Sequence, residues 1–382
     1  MENKDKKGLG LILNYLKPIA SVKLTVICLL FLVVLVIWGT VYQADYGLYQ
    51  AQQKFFYSWF FLAFGFIPIP GTVLVILVLT LNLIGSMFFK IGFRLSNIGN
   101  FITHLGLIIL FLGGGLTFFF SVESSLMMME GETKNRSTSR DIWEVAVWEQ
   151  MQNKKTVYAF DTLGLKKDSK INFTDIGINL SIINSFSNCS PIFKKTGEGE
   201  MYLNSSGIGS LNIAAPTLEG SENVAGIMFS VKNKDAINNK VLLYGKDRNQ
   251  TQLSINGKEI NFVLRKKQYI LPIFIELKDF AIKYYPNSQI VKSYESMVTI
   301  KDKLGVLRDV KISMNKPLRY DDLTFFQSSY QIAPDGTEYS IFSVVKNSGR
   351  LLPYVSSLFI FAGLIIHFIM MLYRRRKKII GE

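Results

Sequence analysis

Only two histidines occur in this chain of 382 residues, and both lie inside long apolar runs: His104 in THLGLIILFLGGG and His367 in GLIIHFIMMLYRRRKK. An ionisable side chain within a bilayer is costly, so each marks a functional site by default. A neutral imidazole offers a ring-nitrogen lone pair to a metal and serves proteins as an axial ligand of haem iron. Asn97, Asn100 and His104 follow i, i+3, i+7 spacing and share one helical face. Glycines recur at 92, 99, 106 and 113, two residues out of phase with His104. At about 100° per residue the glycine face lies roughly opposite the polar one. One face is therefore expected to pack on a neighbouring helix, and the other to meet something polar or metallic.

His367 stands seven residues before Arg374, and His104 ten residues after Arg94. His104 is also about seven residues after the first position of its span expected to be buried, so at ~1.5 Å per residue both are expected about 10 Å inside the membrane boundary, at similar depth. Spacing leaves three readings open: a closed pair within the chain, one histidine with a counter-ligand from another chain, or two structural hydrogen bonds. Cysteine chemistry is sparse. Cys28 lies in an apolar run and Cys189 is the only other cysteine, so no disulfide closes within the polar insert. CxxC and CxxCH are both absent, which excludes a thioredoxin-like oxidoreductase and a c-type cytochrome. A buried, unreactive Cys189 is the favoured reading.

The elements that position the histidines follow from where the apolar residues fall. About half the chain is hydrophobic, concentrated in 24–120 and 351–373. The fold class expected is an integral membrane α-helical protein of four transmembrane helices, with a large exported all-β domain inserted between helices 3 and 4. Residues 1–22 read as a charged leader and a surface helix, LGLILNYLKP. No small-x-small cleavage site follows the apolar run from Leu24 to Trp38, which argues against a cleaved signal peptide. Residues 23–120 form a three-helix membrane block, with spans at 23–41, 72–89 and 97–120. The aromatic segment 55–66 is expected as an interfacial helix, leading to a turn at Pro68-Ile69-Pro70-Gly71. Asn82, mid-span, is expected in an interhelical hydrogen bond.

Residues 121–350 alternate apolar and polar in runs such as INLSIINSF, IFIEL, YESMVTIKD and YSIFSVV, with turn signals at 256–257 and 335–336. They read as one exported β-rich domain, a sandwich being the simplest form. Residues 351–373 form the fourth transmembrane helix, and 374–382 a basic tail. Of the net charge of +14, nine units lie in residues 1–23, at Lys90 and Arg94, and in the tail. All three segments share one side of a four-span protein, so the basicity is a positive-inside signal. It is not a nucleic-acid footprint, for which no motif is present.

Four segments resemble the ResB family, also called CcsB, of System II cytochrome c biogenesis. They are Gly39-Thr40-Val41-Tyr42-Gln43 leading to Phe55-Phe56-Tyr57-Ser58-Trp59-Phe60-Phe61; Pro68-Ile69-Pro70-Gly71 leading to Leu81-Asn82-Leu83; Thr103-His104-Leu105-Gly106-Leu107 ending in Gly113-Gly114-Gly115; and Pro317-Leu318-Arg319-Tyr320 with Phe325-Phe326-Gln327-Ser328-Ser329-Tyr330. Residues 150–290 show no such motif. The resemblance implies a haem-handling subunit of a cytochrome c synthetase. Such a subunit binds haem b transiently in the membrane and helps move it from the cytoplasmic side to the outer face, for attachment to CxxCH apocytochrome c. It works with a ResC/CcsA-type membrane protein. The chain is too short to be a fused version, so that partner is expected to be separate.

By the same resemblance His104 matches the intramembrane haem-iron ligand, with the second ligand supplied by the partner. His367 matches no ligand position, and stays a secondary cofactor-binding candidate. Asn100, one turn before His104, is a candidate to orient the imidazole or a propionate, against the more common interhelical hydrogen bond. No residue stands out as acid, base or nucleophile for thioether formation, so the chain reads as a non-catalytic subunit of a haem lyase. The exported domain is a docking candidate for the partner, the apocytochrome or a thioredoxin-like thiol reductase. The implied location is the inner (cytoplasmic) membrane, multi-pass, with both termini cytoplasmic and the large domain periplasmic. Two alternatives remain: a b-type electron-transfer protein with haem between His104 and His367, and a non-haem membrane-anchored β-domain scaffold.

Overall fold

A computed structural model describes residues 17–149, 156–194, 202–232, 238–255, 257–302, 305 and 307–380. The surface helix expected within 1–22 falls largely outside them. The chain divides into two compact units: residues 1–122 with 346–382, and residues 123–345.

The first unit is built on four helices, α1 (Val22–Ala51), α2 (Thr72–Ser86), α3 (Ile98–Phe120) and α4 (Leu352–Ile380). With their continuous flanking turns, all four are long and apolar enough to cross a membrane. α1 outruns its expected end at residue 41, because no proline or glycine interrupts it after Gly39 until Gly47, which takes φ +81° and bends the axis. α4 likewise runs past Tyr373 through the basic tail, since Arg and Lys favour helix.

Of the aromatic segment 55–66, only Phe55 and Phe56 are helical, ending the turn Gln52–Phe56. Strands β1 (Phe60–Ala63) and β2 (Ile67–Pro70) form an antiparallel hairpin. Pro68 and Pro70 have no N–H to give a helix, and β1 alternates strictly, with Phe60 and Leu62 outward and Phe61 and Ala63 inward. The loop turns at Phe64 and Gly65, both with positive φ. The inward row packs on α1 and the turn that follows it, the Phe61 ring lying 4.8 Å from that of Phe55 and 5.7 Å from that of Trp38. Gly71 closes the hairpin: a side chain there would strike the Ser58 carbonyl.

Asn82 is buried in α2 and ties that helix to the start of α1. Its side-chain carbonyl accepts from Thr25 Oγ1 at 2.6 Å, and its amide donates to the carbonyls of Ile19 and Ser21.

The second unit holds β3 (Val122–Met129), β4 (Thr133–Glu149), β5 (Val157–Asp161), β6 (Lys170–Phe173), β7 (Ile178–Phe186), β8 (Cys189–Phe193), β9 (Ile208–Ile213), β10 (Gly226–Lys232), β11 (Asn238–Tyr244), β12 (Thr251–Ile255), β13 (Lys258–Tyr284), β14 (Val291–Lys301), β15 (Leu307–Ser313), β16 (Leu318–Tyr320), β17 (Leu323–Ile332) and β18 (Glu338–Lys346). Its largest sheet runs β15-β14-β13-β4-β3-β18-β17-β16, with β12 also on β13 and β5 also on β4. A second sheet runs β11-β10-β7-β6. Asp-Gly at 335–336 turns β17 into β18, with Gly336 at φ +84°. The other turn signal includes Asn256, outside the described residues; the pair Ile255↔Lys258 flanks it.

A single sandwich does not describe this domain. Where β13 and β4 face the second sheet, the two sheets enclose Val145, Val147, Ile182, Phe229, Val241 and Phe262. Further along β13, the large sheet rolls around a second core of its own residues, among them Met128, Leu277, Val298, Phe325 and Phe342. Inside this roll Ser296, Gln327 and Ser340 satisfy one another across β14, β17 and β18 at 2.7–2.9 Å.

Candidate functional site

Three glycines of α3 set its position against α4. A Cβ added at Gly99 would lie 2.7 Å from His367 Cα and 2.8 Å from the Gly363 carbonyl oxygen. At Gly106 it would lie 2.8 Å from the backbone nitrogen of Ile360, and at Gly113 2.7 Å from Leu352 Cβ. Gly363 completes the seam from the other side, where a Cβ would meet the Thr103 backbone nitrogen at 2.6 Å. The helices run antiparallel and touch backbone to backbone, as small residues on both sides allow. Gly114 and Gly115 have open space beside them and take no part.

This seam places the two histidines relative to each other. His367 is level with Gly99, five residues before His104. At ~1.5 Å per residue the levels differ by about 7.5 Å, so the expectation of one shared depth is corrected. Their directions differ too. His104 stands about 160° around α3 from Gly106, which faces α4. It shares a face with Phe111, seven residues on, which packs on the cluster formed by α1, α2 and the hairpin. The structure therefore does not bring His104 and His367 together.

His104 is half-buried. Its Nδ1 lies 2.9 Å from the backbone carbonyl oxygen of Asn100, one turn earlier. A carbonyl only accepts, so this contact requires Nδ1 to carry the proton, and in the neutral ring Nε2 then holds the lone pair. Among the described residues Nε2 has no hydrogen-bond partner. Asn100 thus orients the ring through its main chain, not through its side-chain amide. Asn97 caps the preceding turn, its amide donating to the Ile91 carbonyl at 3.1 Å.

His367 occupies different surroundings, in a cleft of about 240 Å³ lined by Ser96, Met370, Met371, Arg374 and Arg375. Arg374 closes it by donating to the Ser96 carbonyl.

The remaining sequence candidates resolve singly. Cys189 is buried, and burial pushes its thiol up to about 11. A side chain at Gly226 would overlap its sulfur, so the thiol is enclosed. Phe325 is fully buried in the rolled core, Tyr330 packs at its edge 5.4 Å from the Tyr294 ring, and Phe326 points outward. Among the described residues no group of three or more His, Cys, Asp or Glu side chains could hold a metal ion. The aromatic floor beside α1 was not singled out from sequence: Lys54 Nζ sits 4.4 Å over the Tyr42 ring, which stacks 4.3 Å from Tyr46. Its signal was legible in the i, i+4 spacing of Tyr42 and Tyr46.

Comparison with known proteins bears on the whole arrangement. Residues 226–341 match the model of the ResB-like family. The chain is similar to the protein NrfI of Wolinella succinogenes, 23% identical over 292 residues, which are 75% of this chain and 29% of that protein. It is also similar to the cytochrome c biogenesis protein Ccs1 of Heterosigma akashiwo, 41% identical over 58 residues, 15% of this chain and 14% of that protein. The chain matches less than a third of the length of these curated relatives. The ResB resemblance read from the motifs is thereby supported from a second direction, and its matched segment begins inside the stretch that showed no motif.

Proposed function

We propose that this chain, with its ResB-like segment, is a membrane subunit of System II cytochrome c maturation that holds haem within the bilayer through His104. The carrying observation is the His104 ring itself: Nδ1 bound at 2.9 Å to the Asn100 carbonyl, Nε2 free, the ring half-buried on an apolar helix. That tautomer leaves Nε2 available to an iron, and the Asn100 contact fixes the ring plane. Apolar walls around it would exclude water from the metal. Haem is here cargo, and the chain's part is to bind and orient it while it passes from the cytoplasmic side towards the outer face and a CxxCH apocytochrome.

The offset of His367 favours a counter-ligand from another protein, a ResC/CcsA-type partner, over a pair closed within this chain. A b-type electron-transfer protein would need both histidines to face one iron, and the glycine seam turns them apart. The basic residues at 1–23, 90–94 and 374–378 support cytoplasmic termini, with the β-domain on the outer face.

The test is haem stoichiometry and absorbance of the chain purified alone and with its partner. His104→Ala should remove the haem of the complex, and His367→Ala should leave it. A bis-histidine spectrum in the chain alone, lost in His367→Ala, would establish the electron-transfer reading instead.

A further inference from the structure

A second cleft, of about 660 Å³, opens in the β-domain where three strands lose register. On β13 the pairing with β4 jumps from Lys266↔Trp143 to Gln268↔Thr138, and again from Ile270↔Arg136 to Ile275↔Lys134. The second jump spans Pro272, which has no N–H for a ladder. On the other side of β4, the ladder to β3 is confined to Ser124↔Ser139 and Ser125↔Thr138. Such bulges re-aim side chains and end pairing. Here they turn one face of β4 into the floor of an open trough.

Four cations line that trough and no acidic side chain does: Lys134, Arg136, Arg140 and Arg265. Arg265 is neutralised at 2.8 Å by the buried Glu144. Arg140 meets Glu123 at 3.3 Å, with both side chains more than half exposed, and Lys134 meets Glu132 at 2.8 Å. A pair as exposed as Arg140–Glu123 contributes little and exchanges partners readily, whereas Lys134 is held more closely, donating also to the Met127 carbonyl at 2.8 Å. Arg136 is matched only by the neutral Gln268, at 3.3 Å. The trough therefore carries one charge with no acidic partner among the described residues, at Arg136, and one weakly held charge, at Arg140.

Their spacing is informative. Lys134, Arg136 and Arg140, two and four residues apart on one strand, all line the trough and span about 20 Å. A small anion could engage one or two of them. An extended peptide has the same two-residue side-chain period, and carboxylates at alternate positions would meet the cations in register. Where β3 and β4 part, an added strand would also find room beside a sheet.

We propose that this trough binds an extended acidic segment of a partner protein, with carboxylates at alternating positions. The site is independent of the haem reading and stands or falls by itself.

The test uses the full chain in lipid nanodiscs and a fluorescein-labelled octapeptide of alternating Glu and Thr, read by anisotropy. A peptide of the same composition with its four glutamates contiguous, and citrate, serve as competitors. The alternating peptide should bind at low salt, and the contiguous peptide several-fold more weakly. Arg136→Gln with Arg140→Gln should weaken binding at least tenfold while leaving the thermal unfolding profile unchanged. Lys232→Glu, on β10 in the other sheet, should have less than a twofold effect. Equal binding of the two peptides, an equal loss in Lys232→Glu, or displacement by citrate as effective as by unlabelled alternating peptide would each overturn the proposal. The first two would indicate general electrostatics, and the third a small-anion site.

Discussion

His104 and His367 look equivalent as letters and are unlike as chemistry. One has a lone pair directed by a main-chain carbonyl; the other is framed by arginines. Because the Asn100 contact is main-chain, Asn100→Ala should retain haem in the partner complex, whereas His104→Ala should abolish it, both read from the haem absorbance band. A loss in Asn100→Ala matching that of His104→Ala would show that the amide itself is needed. Sequence measures each histidine only from its nearest charges, which makes the two depths look alike. The axial offset between two helices is fixed by where their small residues meet, and only the Gly99–His367 contact reveals it. Cys189 makes a separate prediction at this scale. Its thiol is raised from 9.0 to about 11 by burial, so between those values the unfolded chain releases the proton while the folded domain keeps it. Unfolding then becomes easier as pH rises through that window, and below it this group contributes no pH dependence. Thermal unfolding of the wild type and Cys189→Ala should diverge in slope from pH 9 upward; parallel curves would show the thiol to be accessible.

Among the elements, the helices were legible and the hairpin was not. Apolar runs of span length and the seven-residue glycine repeat carry their own meaning, because helix geometry places every seventh residue on nearly one face. The run from Phe55 to Phe66 is apolar on all sides and too short for periodicity to separate helix from strand. Pro68 and Pro70, two residues apart, held the answer, since neither suits a helix interior. The glycine seam yields a graded prediction. Gly99→Ala and Gly106→Ala should each destabilise the α3–α4 contact by about 1–3 kcal/mol, because the added methyl meets backbone that cannot step aside. Gly114→Ala, with open space at its Cβ, should cost nothing by this mechanism. Denaturation of the detergent-solubilised protein would rank the three, and equal effects would refute the seam. Asn82→Leu should cost about 1–3 kcal/mol in the same assay, by removing three hydrogen bonds to the start of α1 and stranding the Ile19 carbonyl.

At the scale of the molecule, alternation was enough to recognise strands but not how they associate. INLSIINSF is β7 residue for residue. Nothing in the runs disclosed that β13 would extend over 27 residues and furnish a wall to both cores. With both cores inside one unit, residues 123–345 expressed alone should fold and unfold in one cooperative transition, measurable by near-ultraviolet circular dichroism. A large-to-small change in either core, Phe262→Ala or Phe325→Ala, should lower that single midpoint, each by about 3–5 kcal/mol of stability. Two separated transitions would show that the shared strand does not couple the cores.

The strand order has one consequence for assembly. β3 and β18, the first and last strands of the domain, are neighbours in its sheet. β3 follows α3 and β18 precedes α4 in the chain, and those two helices approach closely through the glycines of their seam. A folded domain therefore delivers the ends of more than two hundred intervening residues to adjacent places, raising the local concentration of one helix about the other as a short tether would. The domain is in this respect a clasp. Replacing it with a flexible linker of equal length should loosen the helix pair even though every glycine contact remains available.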